Sequence, residues 1–253
     1  MEDEFAIPET AFHDPNNLCC KVPYMFNHLF CILCSTYNYI GIQLQNCLIS
    51  PLMLKCLDKN CDVEIIKRLL DAGANINQKT VTGCTALHIC SAVGNFEILK
   101  LLINHGGNIS ITDESGMTPI LNAAIERRMR IVNYLAKQKT PNEISLEDRI
   151  NAFDLLGAMF IQYGDSCGIL YWEKAINLRY INGVLIYEKE DNGVSDDFKE
   201  IITIEQLEEI KYNHKILKIQ SLLVKERILG QAHKITCDDF EFVRHDQNQE
   251  FSW

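Results

Sequence analysis

Residues 83–119 read "GCTALHICSAVGNFEILKLLINHGGNISITDESGMTP", and the reading of this stretch decides the fold. Thr85 opens a short apolar run, a second amphipathic run carries Ile98, Leu101 and Leu102, and a glycine turn follows at Gly106-Gly107-Asn108. The opener Thr85-Ala86-Leu87-His88 recurs as Thr118-Pro119-Ile120-Leu121 and, more weakly, as Ser50-Pro51-Leu52-Met53. The spacing is close to roughly 33 residues, and the first interval is slightly longer, as a short insertion in a loop makes it. Each opener begins with a hydroxyl residue able to cap exposed backbone N–H groups, and apolar residues at helical spacing follow it. The second helix of each copy carries Val63, Ile66, Leu69 and Leu70, then the run already named, then Ile131, Val132 and Leu135. Gly73 and Gly106 close the first two copies and Gly83 and Gly116 shape the turn before the next opener, positions where glycine supplies a positive φ. The third copy runs instead into "KQKTPNEIS", as a terminal repeat does.

This pattern resembles the ankyrin repeat over Ile49 to about Lys139. The resemblance implies stacked helix pairs and a binding scaffold rather than an active site. It also implies that His88, although flanked by Cys84 and Cys90 with His105 downstream, is a structural residue bonding neighbouring turns. Ligand spacing of the zinc-finger kind is missing around it.

Composition narrows the partners. The 253 residues are 47% hydrophobic and carry 34 acidic against 24 basic side chains, a formal charge of −10. Nucleic acid and anionic membrane select for basic surfaces, so neither is expected, and a target protein or peptide of basic character is favoured. The 11 cysteines follow an acidic start, Met1-Glu2-Asp3-Glu4, with no basic n-region and apolar h-region. The expected compartment is the reducing cytosol or nucleus, with most thiols free. Residues 22–54 hold no Asp, Glu, Lys or Arg, yet Asn27, His28, Asn38, Gln43, Gln45 and Asn46 interrupt any span of about 20 apolar residues. In the same segment Cys31 and Cys34, with Cys19, Cys20, His28 and Cys47, offer ligands for zinc. One CxxC without a second pair is a weak signature, and the reading here is of free thiols, with no metal or cofactor.

Beyond the repeats, Ser145 and Asp148 form a capping box with Asp in place of Glu. The helix they open carries Ile150, Phe153, Leu156, Gly157 and Phe160. A partner helix carries Leu170, Trp172, Ala175, Leu178 and Tyr180, and the small Gly157 between large residues resembles a tetratricopeptide hairpin. The acidic stretch from Glu188 to Glu209 reads as a solvated loop that becomes helical near Ile204. A helical period then runs from Ile204 to Leu229.

Three blocks in order, "LEDRINAFDLLGAMF" (146–160), "YWEKAINLRY" (171–180) and "QLEEIKYNHKILKIQSLLVKERILG" (206–230), all following the repeats, look like the feminization (Fem) family of ankyrin-repeat proteins. The resemblance covers about Ile49 to Thr236. It implies a substrate receptor of a cullin–RING ubiquitin ligase that captures the carboxyl ends of target proteins. Family members carry more repeats upstream, where much of the target pocket lies, so no pocket residue transfers. They also continue to a box that binds elongin and the cullin, whereas "CDDFEFVRHDQNQEFSW" (237–253) leaves that pattern, with Phe240, Phe242, Phe251 and Trp253 on no helical stripe. The expectation is a shortened form that alone binds neither elongin nor cullin. The alternative is an ankyrin scaffold without a ligase connection. No P-loop, nucleophile elbow or HExxH supports an enzyme.

The sequence thus predicts an all-α chain: an unassigned Cys-rich segment (1–48), an ankyrin-repeat solenoid of three units (49–140), tetratricopeptide-like helical hairpins (145–236) and a tail (237–253). Sheet is expected to be nearly absent. Truncating Leu87 or Leu101 to Ala is expected to cost about 2–5 kcal/mol, as for buried leucines. Contacts with a partner are expected on turn tips and inner helix faces, at Lys79, Thr80, Val81, Ile89 and Val93 in one repeat and Asp113, Glu114, Asn122 and Glu126 in the next. The three carboxylates there suit an Arg- or Lys-bearing peptide.

Overall fold

Hydroxyl side chains set the helix starts. In the computed structural model, which describes residues 49–139, 143–181, 184–185 and 199–230, Ser50 accepts a hydrogen bond from Met53 N–H and opens α1 (Pro51–Leu57). Asp62 caps α2 (Val63–Asp71) in the same way through Glu64 N–H. Thr85 precedes α3 (Ala86–Val93) and Asn95 precedes α4 (Phe96–Asn104). Thr118 precedes α5 (Pro119–Ile125), whose Pro119 sits where a missing N–H costs nothing, and α6 is Met129–Leu135. These six helices are three stacked pairs. The openers Ser50 and Thr85 lie 35 residues apart but the second-helix caps Asp62 and Asn95 lie 33 apart, so the extra residues sit in the α1–α2 loop.

The stack is stitched at its loops. Asn95 donates from its amide to Cys56 O at 2.7 Å and Asp58 O at 3.2 Å. One repeat on, Arg128 donates to Ala92 O at 2.9 Å. Both side chains satisfy carbonyls that the end of the preceding first helix leaves open. The expected glycine turns are present, with positive φ at Gly73, Gly83, Gly106 and Gly116. Arg127, at the position equivalent to Gly94, also takes a positive φ of 54°.

Core residues follow the stacking. The first helices bury Leu52, Met53 and Cys56, then Leu87 and Cys90, then Ile120, Ala123 and Ala124. α4 buries Ile98, Leu99, Leu102 and Ile103, and Leu101 is only half-buried. That corrects the sequence expectation for Leu101: the buried arc runs along positions 98, 99, 102 and 103, and at 100° per residue Leu101 falls outside it. Leu87 is fully buried and keeps its expected cost.

The helical block continues the stack. Ser145 Oγ accepts from Asp148 N–H at 2.9 Å and opens α7 (Leu146–Gln162), which is the first half of the expected capping box, whereas the Asp148 carboxylate takes the Ser145 hydroxyl at 2.8 Å in place of the Ser145 backbone N–H. α7 packs against α5, α8 (Cys167–Arg179) and α10 (His214–Leu229), so residues from Ala152 to Ile161 are buried on every side. At the α7–α8 crossing a Cβ on Gly157 would lie 2.7 Å from Trp172 Nε1 and 2.8 Å from Gly168 O. Only two glycines allow this approach, which lets Trp172 donate to Asp154 O at 3.0 Å. Trp172 and Ala175 are buried, Leu178 and Tyr180 half-buried, and Leu170 exposed. α8 ends at Arg179, and the chain forms a two-residue antiparallel ladder pairing β1 (Tyr180–Ile181) with β2 (Val184–Leu185). α9 (Ile204–Ile210) opens on a Thr203/Gln206 capping box and pairs with α10 over a core of Ala158, Ile161, Trp172, Ile176, Leu207, Leu217 and Val224. The protein is therefore all-α among the described residues apart from that ladder, with helix pairs after the repeats that fit a tetratricopeptide-like arrangement. The zinc alternative at Cys19, Cys20, His28, Cys31, Cys34 and Cys47, and the tail from 237, lie outside the described residues.

Candidate protein-binding surface

The turn tips are two copies of one device. In the first, Thr80 Oγ accepts from Cys84 N–H at 3.1 Å and Thr80 N–H donates to Cys84 O at 2.8 Å. In the second, Asp113 Oδ1 accepts from Ser115 N–H at 2.8 Å and Met117 N–H at 3.0 Å, and Asp113 N–H donates to Met117 O at 3.0 Å. Glu114 N–H donates to Thr82 O at 3.1 Å and Lys79 Nζ to Thr112 O at 3.1 Å, so the tips are locked side by side. The structure thereby brings Lys79, Val81, Asp113 and Glu114 together on one edge.

Their roles differ from the sequence reading. Lys79, Val81 and Glu114 are exposed and available for contact. Thr80 is buried because its hydroxyl builds the turn, and Ile89 and Val93 are buried apolar residues of α3, so none of the three presents a contact surface. Asp113 is half-buried with its carboxylate occupied by two backbone N–H groups. Asn122 and Glu126, equivalent to Ile89 and Val93, are half-buried and four apart on one side of α5. Burial pushes the Glu126 carboxyl up, against the pull of Arg128, Arg127 and Lys59. Glu114 is thus the one exposed carboxylate of the three that sequence reasoning assigned to a basic peptide.

His88 is structural, as the repeat resemblance implied. Its Nδ1 accepts from Thr85 N–H at 3.1 Å, which leaves Nε2–H to donate to Met117 O at 3.0 Å in the next repeat. Burial lowers its pKa from 6.5 to about 4, so the ring is neutral at pH 7 and both nitrogens are spent. Burial and the Asp113 carboxylate push the Cys84 thiol up to about 12, and burial beside Cys56 pushes Cys90 well up. Neither is an activated nucleophile. Among the described residues no group of three or more His, Cys, Asp or Glu is placed to hold a metal, and no helix is long and apolar enough to cross a membrane. A cavity beside Asp154, Trp172 and Gln220 measures about 10 Å³, room for one water at most.

Sequence reasoning missed a set of exposed residues outside the tips. Arg127 stacks 3.9 Å over the Tyr163 ring, Arg130 lies 4.3 Å over Phe96, and Lys174 4.7 Å over Tyr171. The available signal was residues 126–139, with five basic side chains against the single carboxylate of Glu126.

A stacked array of helix pairs with turn tips on one edge defines an ankyrin-repeat protein, and the family profile for ankyrin repeats in three copies matches residues 52–148. Relatives of the chain include fem-1 homologs. It is 30% identical to protein fem-1 homolog A-like of Mus musculus over 212 residues, covering 68% of this chain and 32% of that protein. It is 30% identical to protein fem-1 homolog A of Bos taurus (66% and 31% covered) and 37% identical to protein fem-1 homolog C of Homo sapiens (55% and 23% covered). The chain spans about a third or less of the length of these relatives.

Proposed function

We propose that the chain is a noncatalytic adaptor that binds a protein segment on the edge formed by Lys79, Val81 and Glu114, with Asn122 and Glu126 beside it. The observation that carries the proposal is the extent of the fem-1 likeness. It covers 68% of the chain, more than the repeats at 52–148 occupy, so it takes in helical block as well as array. One local fact supports it: the tips are paired by hydrogen bonds yet leave Val81 and Glu114 exposed. In the finer reading, the bound segment is the carboxyl end of a target and the chain serves recognition in a cullin–RING ubiquitin ligase, in the cytosol or nucleus.

A display library of peptides with free carboxyl ends tests the first level. Selective enrichment that falls at least tenfold with Val81→Asp/Glu114→Lys is expected, and an unselective outcome overturns the adaptor reading. Co-purification with elongin and cullin tests the second level. Binding of both would supply the ligase link directly, and its absence even beside a full-length fem-1 homolog would leave the scaffold reading.

A further inference from the structure

The outer face of the stack is made by the second helix of each pair, within a stretch of sequence whose charge is opposite to that of the whole chain. Residues 49–139 hold eleven basic and eight acidic side chains although the chain has a formal charge of −10. On α4, α6 and α8 three cations are mounted on aromatic rings. Lys100 Nζ lies 5.0 Å and Arg130 Cζ 4.3 Å from the centre of the Phe96 ring, which meets Tyr134 edge-on at 5.2 Å. Across the α6–α8 junction Lys174 Nζ donates to Asn133 Oδ1 at 3.3 Å and sits 4.7 Å over Tyr171. Lys100 is paired with Glu97 at 2.7 Å. Arg130 and Lys174 are exposed and meet no carboxylate among the described residues.

Apolar residues flank the two cations. Met129 is 43% exposed and lies one turn from Asn133, and Leu170 is 55% exposed and lies one turn from Lys174. Held against rings, the two cationic side chains have lost part of their rotamer freedom before any partner arrives, which lowers the cost of binding. Planar guanidinium and compact ammonium, with open methionine and leucine alongside, match carboxylates interspersed with apolar side chains.

We infer that the outer face of α6 and α8, centred on Arg130 and Lys174 with Met129 and Leu170, is a second interaction surface that docks an acidic protein segment bearing apolar residues. It is separate from the turn-tip edge and acts independently of it. A ligand held at both places would gain from effective concentration, with a basic or neutral end at the tips and an acidic stretch on the outer helices.

The test uses the whole chain and a fluorescent oligo-glutamate peptide interrupted by leucines, read by anisotropy. Binding that weakens with added salt is expected, and Arg130→Glu/Lys174→Glu should weaken it at least tenfold. The control Lys67→Glu/Arg68→Glu on α2 changes net charge by the same amount and should leave binding within about twofold, since those side chains face Glu64 elsewhere. Should the reversal shift the unfolding midpoint, Arg130→Gln/Lys174→Gln serves in its place with the same expected direction. Equal loss in the control, equal binding of a glutamine-for-glutamate peptide, or binding of phosphatidylserine vesicles without the peptide would each overturn the proposal.

Discussion

In the repeats, the buried polar side chains are small or neutral: Thr80, Thr85, His88, Ser91 and Thr118. In the helical block that follows they are Asp154, Arg179, Gln220, Ser221, Lys225 and Glu226. The repeats join one unit to the next through side chains that bond backbone, as His88 does to Met117 O and Arg128 to Ala92 O. The block adds, beside the bond of Trp172 to Asp154 O, side chains of different helices that bond one another. Asp154 on α7 takes Arg179 of α8 and Arg227 of α10, the latter at 2.7 Å, and Arg227 reaches on to Glu200 at 2.9 Å and Asn151 at 2.6 Å. Backbone partners recur with every repeat, so the first scheme can be extended or cut at a unit boundary. The second closes on one arrangement of charges.

The comparison breaks most visibly at Asp154. Replacing it by Ala leaves two guanidinium groups, one almost fully buried, without the carboxylate between them. The expected loss is about 3–5 kcal/mol, the usual cost of removing one partner of a buried ion pair. Urea unfolding of the whole chain measures it. A loss below about 1 kcal/mol would mean that solvent or relaxation supplies the missing charge, and the block would then not depend on its ion network.

The same contrast explains what the sequence revealed. The repeats were legible because helix starts, glycine turns and apolar faces return every 33 residues, so each copy corroborates the next. Even there burial was misread at Thr80, Ile89 and Val93: a period marks equivalent positions, whereas exposure depends on what packs over them. The α7–α8 crossing was legible from Gly157, a small residue among large ones, but its partner Gly168 was not singled out. The ion network was invisible. Arg227 lies 73 residues from Asp154 and 76 from Asn151, and no local pattern separates a buried arginine from the solvated ones around it. The outer cationic face was hidden differently, because the whole-chain charge of −10 pointed to basic partners and masked the opposite sign of one block.

On the repeat side, the next effect is pH-dependent and belongs to His88. Its folded pKa of about 4 lies below the unfolded 6.5, so between those values the unfolded chain binds the extra proton. The stabilising contribution is therefore complete above about pH 6.5 and is lost as pH falls toward 4. The shift of roughly 2.5 units corresponds to about 3 kcal/mol. Glu126 and Asp148, whose carboxyls burial pushes up, act in the opposite sense. The difference between the wild-type chain and His88→Gln across pH 4–7 isolates the imidazole. An unchanged slope in the variant would show that the repeat junction does not rely on a neutral ring.

The smallest expected effect measures stacking itself, through two glycines in equivalent turns. Gly83 and Gly116 share nearly the same backbone, φ +78° and +76°, so replacing either by Ala carries the same left-handed strain of about 1 kcal/mol. Only Gly83 has a neighbouring turn against it. A Cβ there would lie 2.9 Å from Glu114 N and 3.0 Å from Asp113 Cα, whereas at Gly116 it meets nothing within 4 Å. The obstruction at Gly83 is backbone and cannot swing away, so the Thr82–Glu114 bond must lengthen and the cost should rise by roughly 1–2 kcal/mol over Gly116→Ala. Equal costs in paired unfolding experiments would mean that the tips are held by their own side chains alone. A larger cost at Gly83, together with weaker peptide capture at Val81 and Glu114, would show that stacking of one turn on the next keeps the binding edge in shape.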